Sequence, residues 1–135
     1  MNWTKLQSVV FLTAYKAGVP DDENIQNNEM LRQTIANAHY RYSMVLGCWK
    51  GHHEKTFMVA VDGMDDVNKL AQIADFHGQE AILYRDQYQN ACLITKDSSE
   101  TMGKMVQVHK DIALAGDSWT QDPATGAFYI IKYGD

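Results

Sequence analysis

The stretch that decides the fold reads SMVLGCWKGHHEKTFMVAV and covers residues 43–61. Its two apolar runs, residues 43–49 and 56–61, flank a polar turn at residues 50–55, a spacing typical of a β-hairpin or of two neighbouring strands. This pattern places one carboxylate, Glu54, at the start of the second strand. Because glutamate is nearly always exposed, Glu54 is either a solvated turn residue or the anchor of a small-molecule site.

Apolar patterns before and after this hairpin predict a strand and two helices. A continuous, β-branched run at residues 6–15 predicts a buried central strand. Apolar residues at spacings of three and four, Met30, Leu31, Ile35 and Ala38, then predict one helix that follows the polar loop 21–24 and runs to about His39. A second helix is predicted at residues 67–74, with Gly78 as its C-terminal stop.

The second half of the chain predicts more strands. Short apolar runs at residues 81–84 and 91–94 have hairpin spacing. Residues 96–116 are polar and contain two glycines, which indicates a loop with one short strand at 105–108. Residues 118–131 predict a C-terminal β-hairpin, because Pro123 and Gly126 suit the turn in its middle.

The order of these elements predicts the fold class. It is α+β, with a mostly antiparallel β-sheet, two helices packed on one face (an α-β sandwich) and a C-terminal β-hairpin. The 135 residues fit one domain, 1–135, which can bury a core without metals or disulfides. A sheet covered on one side leaves an edge or a face for a second subunit, so oligomerisation is expected.

Composition narrows the classes of function. A hydrophobic fraction of 45% is ordinary for a globular domain, and no apolar run is long enough to cross a membrane. A net charge of -5 without a basic cluster argues against nucleic acid as a partner. The segment Met1–Lys5 lacks a secretory signal, which predicts a cytoplasmic location. Both cysteines lie in apolar runs and are expected to be reduced core residues.

Candidate site residues lie at the ends of the predicted elements. No metal is expected at His52, His53 and Glu54, since neighbouring residues point in different directions and other ligands at suitable spacing are missing. No cofactor is expected, because phosphate loops and nucleophile motifs are missing as well. Each candidate is by itself a typical cap or turn residue, yet together they could line one rim of the sheet, where small polar ligands bind: Thr13, Tyr15, Asn24, Asn27, Asn28, Tyr42, Glu54, Gln79 and Glu80.

Six segments, taken in order, resemble the phage-encoded S-adenosylmethionine-degrading enzymes, formerly called hydrolases and now described as lyases. The resemblance covers nearly the whole chain. Its segments are FLTAY at 11–15, NNEML at 27–31, GCW at 47–49, EKTFMV at 54–59, QEAILY at 79–84 and the hairpin at 122–131.

The resemblance implies a homotrimer with sites between subunits. The activity it implies is conversion of S-adenosylmethionine to methylthioadenosine and homoserine lactone, serving phage anti-restriction in the host cytoplasm. The family has a glutamate and a tyrosine at its active site, and Glu54 and Tyr42 are the best matches; Tyr15, Tyr40 and Tyr84 compete for the second role. Trp49 stands where relatives often have an aromatic residue. Substrate binding is expected at Gln79, Glu80, Trp49, Tyr15, Thr13 and Asn28.

Other classes of function stay open from the residues. A hydrolase would use Glu54 as a general base that activates water and would release homoserine. A non-catalytic small-molecule-binding module, or a structural subunit of a phage assembly, would leave S-adenosylmethionine intact.

Overall fold

The computed structural model describes residues 7–133. In this part of the chain, eight strands and three helices follow one another. The strands are β1 (Ser8–Leu12), β2 (Tyr42–Trp49), β3 (His52–Val61), β4 (Ile82–Arg85), β5 (Asn90–Ile94), β6 (Ser99–Val108), β7 (Trp119–Gln121) and β8 (Phe128–Tyr133). The helices are α1 (Asp21–Asn37), α2 (Met64–Phe76) and α3 (Lys110–Ala115).

The strands form a closed antiparallel barrel, so the predicted open α-β sandwich is wrong. Their order is β1-β3-β2-β7-β8-β6-β5-β4, and pairing of β4 with β1 closes the ring through Val9 and Arg85, Val10 and Tyr84, and Phe11 and Leu83. The terminal strands β7 and β8 pair with each other, as a hairpin requires, but they also pair with β2 and β6. No free sheet edge therefore remains among the paired strands.

The predicted loop at residues 96–116 is wrong, although the short strand predicted within it at 105–108 is confirmed as part of β6. It contains β6, ten residues long, which pairs with both β5 and β8, and the short helix α3. Exposed polar residues such as Lys104 and Gln107 interrupt its apolar pattern, which hides the strand in the sequence. Without β6, strands β5 and β8 are not joined and the barrel cannot close.

Two apolar clusters lie on opposite sides of the barrel wall. The interior cluster consists of Val9, Phe11, Val45, Met58 and Met105. The larger outer cluster joins alternate residues of β1 and β3 to the apolar faces of α1 and α2, for example Val10 and Val59 to Leu31 and Leu70. Strand β1 is apolar from Val9 to Leu12 because both of its faces are buried there.

The helices extend beyond their predicted ranges. Helix α1 begins at Asp21, within the predicted loop, and its first turn carries Asp21, Asp22 and Glu23, which suit the positive end of the helix dipole. None of the helices within residues 7–133 is long and apolar enough to cross a membrane. Leu6, predicted to begin the first strand, and the segment Met1–Lys5, from which a cytoplasmic location was predicted, lie outside the described residues.

The hairpin of β2 and β3 has a shorter turn than predicted. Lys50 and Gly51 both have positive φ angles, 50° and 84°, as tight two-residue hairpin turns require. Strand β3 therefore starts at His52, and Glu54 lies within the strand, paired with Gly47 of β2. Because side chains alternate between the two faces of a strand, this position fixes the face on which the Glu54 side chain lies. A position in a turn would not fix it.

Candidate functional site

One end of the barrel opens into a cleft of about 770 Å³. Strands β1 and β2 end there, β3 and β4 begin there, and the segment at residues 78–81 forms one rim. Ligand pockets for small molecules typically have volumes of roughly 300–1,000 Å³. The cleft is therefore large enough for a nucleoside-sized ligand.

Glu54 and Glu80 are the two carboxylate residues that line this cleft, and Glu54 faces it from strand β3. It lies on the same side of β3 as Met58, whose side chain belongs to the interior cluster. Its carboxylate forms no hydrogen bond or ion pair with residues 7–133, and burial raises the pKa of Glu54 from 4.5 to about 7. A half-buried carboxylate with no protein partner is costly to ionise, and a cationic ligand would offset that cost.

Gly47 makes room beside this carboxylate. A β-carbon added at Gly47 would lie 2.9 Å from Thr56 Oγ1 and 3.4 Å from Glu54 Cγ. These distances show that Glu54 and Thr56 both project over the same point of β2. A side chain at position 47 would therefore enter the space that these two residues border.

Five of the predicted binding residues line the cleft, and hydrogen bonds fix two of them. Gln79 Nε2 donates to the carbonyl oxygen of Tyr15 at 2.9 Å, and Thr13 Oγ1 donates to the carbonyl oxygen of Lys55 at 2.7 Å. Burial and the nearby Asp21 raise the pKa of Tyr15. The structure thus brings Glu54 together with Thr13, Tyr15, Trp49, Gln79 and Glu80.

Asn28 is behind the wall of the cleft and does not line it. Its Oδ1 accepts a hydrogen bond from the backbone N–H of Ala14 at 2.9 Å, and its Nδ2 donates to the carbonyl oxygen of Lys55 at 3.2 Å. Asn28 therefore fastens α1 to the ends of β1 and β3. In this structure its side chain supports the site from the outside.

Tyr42 lies far from the cleft within the same chain. It begins β2, five residues before Gly47, which corresponds to about 16 Å along a strand. Its hydroxyl accepts a hydrogen bond from Arg32 Nη1 at 3.0 Å, and its ring meets Phe57 edge-on at 5.8 Å between centroids. Among the competing tyrosines, Tyr15 lines the cleft.

The two histidines next to Glu54 are exposed, and His53 meets Trp119 edge-on at 5.4 Å between ring centroids. No group of three or more His, Cys, Asp and Glu side chains that could hold a metal ion occurs within residues 7–133. Both cysteines are free. Burial raises the pKa of Cys48, which lowers the fraction of reactive thiolate.

Sequence reasoning missed three residues of the site. Thr56, Gly47 and Trp119 line the cleft beside Glu54. Thr56 could have been found from its spacing, because a residue two positions after Glu54 on a strand lies on the same face of the sheet as Glu54. That signal was hidden because Glu54 was assigned to a turn. Trp119 reaches the cleft through the pairing of β7 with β2, which the sequence does not reveal.

Comparison with curated protein sequences found no match to this chain. By contrast, the sequence profile described as the S-Adenosylmethionine lyase family matches residues 10–132. This range includes every strand from β2 to β7, the cleft and Glu54. The chain therefore belongs to the S-adenosylmethionine lyase family, and it is an enzyme that acts on S-adenosylmethionine.

Proposed function

We propose that this enzyme degrades S-adenosylmethionine to methylthioadenosine and L-homoserine lactone. The α-carboxylate of the substrate attacks the γ-carbon, a carbon–oxygen bond forms, and the bond from that carbon to the sulfonium breaks. The electron pair goes to sulfur, which leaves as the neutral thioether of methylthioadenosine. The family's description as lyases supports this route, in which water does not take part.

The observation that carries the proposal is the Glu54 carboxylate, which faces the cleft and has no partner among residues 7–133. S-adenosylmethionine has an ammonium and a sulfonium, so it supplies the positive charge that this carboxylate lacks. A charge-assisted hydrogen bond from the ammonium to Glu54 would fix the methionyl arm. The substrate's charge would also favour the ionised form of Glu54.

The remaining residues of the cleft suit the rest of the substrate. Trp49 and Tyr15 offer aromatic faces for the adenine or the sulfonium, through stacking or cation-π contact. Gln79, Glu80 and Thr13 offer polar groups for hydroxyls or the carboxylate. We assign these five residues to substrate binding.

Catalysis in this scheme comes from holding the reacting groups in line. The sulfonium is already a good leaving group, and the nucleophile is part of the same molecule. Orientation of intramolecular reactants can lower a barrier by roughly 7–11 kcal/mol. The proposed reaction therefore requires no metal, no cofactor and no general base.

Hydrolysis is the second candidate, and one observation favours it. A pKa of about 7 for Glu54 suits a general base at neutral pH, which could activate a water for attack on the γ-carbon. The products would then be methylthioadenosine and homoserine, with no lactone formed first. The lyase route is preferred because it agrees with the family's description.

The family resemblance also leads us to propose a homotrimer with sites between subunits. Tyr42 lies about 16 Å of strand away from the Gly47–Glu54 pair. If Tyr42 acts on substrate, it therefore does so in a neighbouring subunit's site. Removal of S-adenosylmethionine would starve methyl-dependent restriction enzymes, and we propose this anti-restriction role in the cytoplasm of a phage-infected host.

The test is to incubate the purified protein with S-adenosylmethionine and to separate the products by liquid chromatography. We expect methylthioadenosine to appear, and we expect Glu54→Gln to lower kcat/KM by roughly 10- to 100-fold, the usual effect of losing a hydrogen bond to a charged group. Glu100→Gln is the matched control, since Glu100 is an exposed strand residue outside the cleft. Equal rates for wild type and Glu54→Gln would refute the role of Glu54.

A further inference from the structure

The hydroxyl of Thr56 is buried and has no hydrogen-bond partner within residues 7–133. Thr56 is 7% exposed, and it lines the same cleft as Glu54. Buried hydroxyls nearly always have a partner, because an unmade hydrogen bond costs stability. By contrast, Thr13 in the wall of this cleft donates its hydroxyl to the carbonyl oxygen of Lys55. The unsatisfied hydroxyl of Thr56 therefore points to a ligand atom.

Thr56 is the next inward residue after Glu54 on the face of β3 that lines the barrel interior. The two residues are two positions apart, which separates their α-carbons by about 7 Å. A β-carbon at Gly47 would touch both side chains, so nothing on β2 stands between them. Beyond Thr56 the interior becomes apolar at Met58. Thr56 is therefore the last polar group that a ligand bound at Glu54 meets on this strand.

We propose that Thr56 Oγ1 donates a hydrogen bond to the α-carboxylate of S-adenosylmethionine and orients it toward the γ-carbon. This inference rests on the proposed function. In the substrate, the ammonium and the carboxylate are attached to one carbon, so an ammonium at Glu54 places the carboxylate within reach of the neighbouring side chain. The hydroxyl holds the oxygen that does not attack, while the other oxygen forms the new bond.

A neutral donor suits this reaction better than a cation. An arginine or lysine would neutralise the carboxylate and lower its reactivity as a nucleophile, whereas a hydroxyl directs it and leaves its charge in place. Thr56 therefore gives the cleft a preference for ligands that carry a free carboxylate. An analogue without that carboxylate forms no hydrogen bond with the Thr56 hydroxyl.

The test compares Thr56→Val, which replaces the hydroxyl by a methyl group of similar size, with Thr56→Ser, which keeps the hydroxyl. Competitive inhibition is measured with two unreactive analogues. Sinefungin has the amino-acid carboxylate but no sulfonium, and decarboxylated S-adenosylmethionine has the sulfonium and the amine but no carboxylate. Thermal unfolding of each variant is recorded in parallel, with Thr56→Ala as a smaller replacement should the valine variant fail to fold.

We expect Thr56→Val to lower kcat/KM roughly 10- to 100-fold, as loss of a hydrogen bond to a charged group does, while Thr56→Ser keeps most of the activity. Inhibition by sinefungin should weaken by a similar factor, and inhibition by the decarboxylated analogue should stay unchanged. Equal weakening for both analogues, or no change for either, would overturn the assignment. If the wild-type protein released no methylthioadenosine, the proposed function itself would fail, which is a different outcome.

Discussion

Glu54→Gln should stabilise the ligand-free protein at the same time as it lowers activity. Burial raises the pKa of Glu54 from 4.5 to about 7. A carboxyl group whose pKa is raised on folding is favoured in its protonated form, so its contribution to stability is complete below the unfolded pKa. As pH rises from about 4.5 to about 7, that contribution is lost, because the folded protein must ionise a desolvated group.

The magnitude follows from the pKa. Each tenfold change in an ionisation constant corresponds to about 1.4 kcal/mol, so the full difference is about 3 kcal/mol. Glu54 is partly exposed, and its replacement by glutamine buries an amide that also lacks a partner. We therefore expect Glu54→Gln to raise the free energy of unfolding by about 1–2 kcal/mol at alkaline pH, which corresponds to a Tm increase of several degrees.

The assay is urea unfolding of wild type, Glu54→Gln and the control Glu100→Gln, followed by circular dichroism at about pH 8 and about pH 5, on either side of the pKa of Glu54. The increase in the free energy of unfolding caused by Glu54→Gln should be present at the higher pH and largely absent at the lower pH. Glu100→Gln should change little at either pH, because Glu100 is exposed. A Glu54→Gln protein that is less stable at the higher pH would refute the account of a desolvated, unpartnered carboxylate.

Three further outcomes follow from the geometry of the cleft. The value of kcat/KM should rise with pH through about 7 as Glu54 ionises, and this rise should be absent in Glu54→Gln; a pH profile of both proteins checks it. Gly47→Ala should lower kcat/KM, because its β-carbon would lie 2.9 Å from Thr56 Oγ1, whereas Gly63→Ala, which meets nothing within 4 Å, should not, and initial rates decide this. If Glu54 and Tyr42 act across a subunit boundary, refolded mixtures of Glu54→Gln and Tyr42→Phe chains should be more active than either variant alone. A mixture no more active than its components would show that the two residues do not form one site between neighbouring subunits.

The hairpin and the helices could be predicted because their signals are local. The apolar runs of β2 and β3 and the spacing of Leu31 and Ile35 in α1 depend on neighbours within a few residues. The start of α1 was placed too late, since its first turn is acidic and carries no apolar pattern. Position 54 was assigned to the turn for a similar reason, because exposed His52, His53 and Lys55 surround it.

Closure of the barrel could not be predicted, because it depends on pairing between distant strands. The pairing of β1 with β4 joins residues more than seventy positions apart. Likewise β6 is recognisable only when β5 and β8 are already beside it. The candidate site shared this limit. Glu54, Gln79 and Tyr15 could be named because they lie at the ends of predicted elements, and the family resemblance gave Glu54 its role, whereas Thr56 required knowing which face of β3 is inside.

The origin of one oxygen atom tests the central claim most directly. The reaction is run in water labelled with oxygen-18, the lactone is allowed to open, and mass spectrometry locates the label in homoserine. Intramolecular attack predicts that the γ-oxygen comes from the substrate carboxylate, so the label enters only the carboxyl group when the lactone opens. Label in the γ-hydroxyl would show attack by water and would contradict the proposal that Glu54 orients a self-reacting substrate.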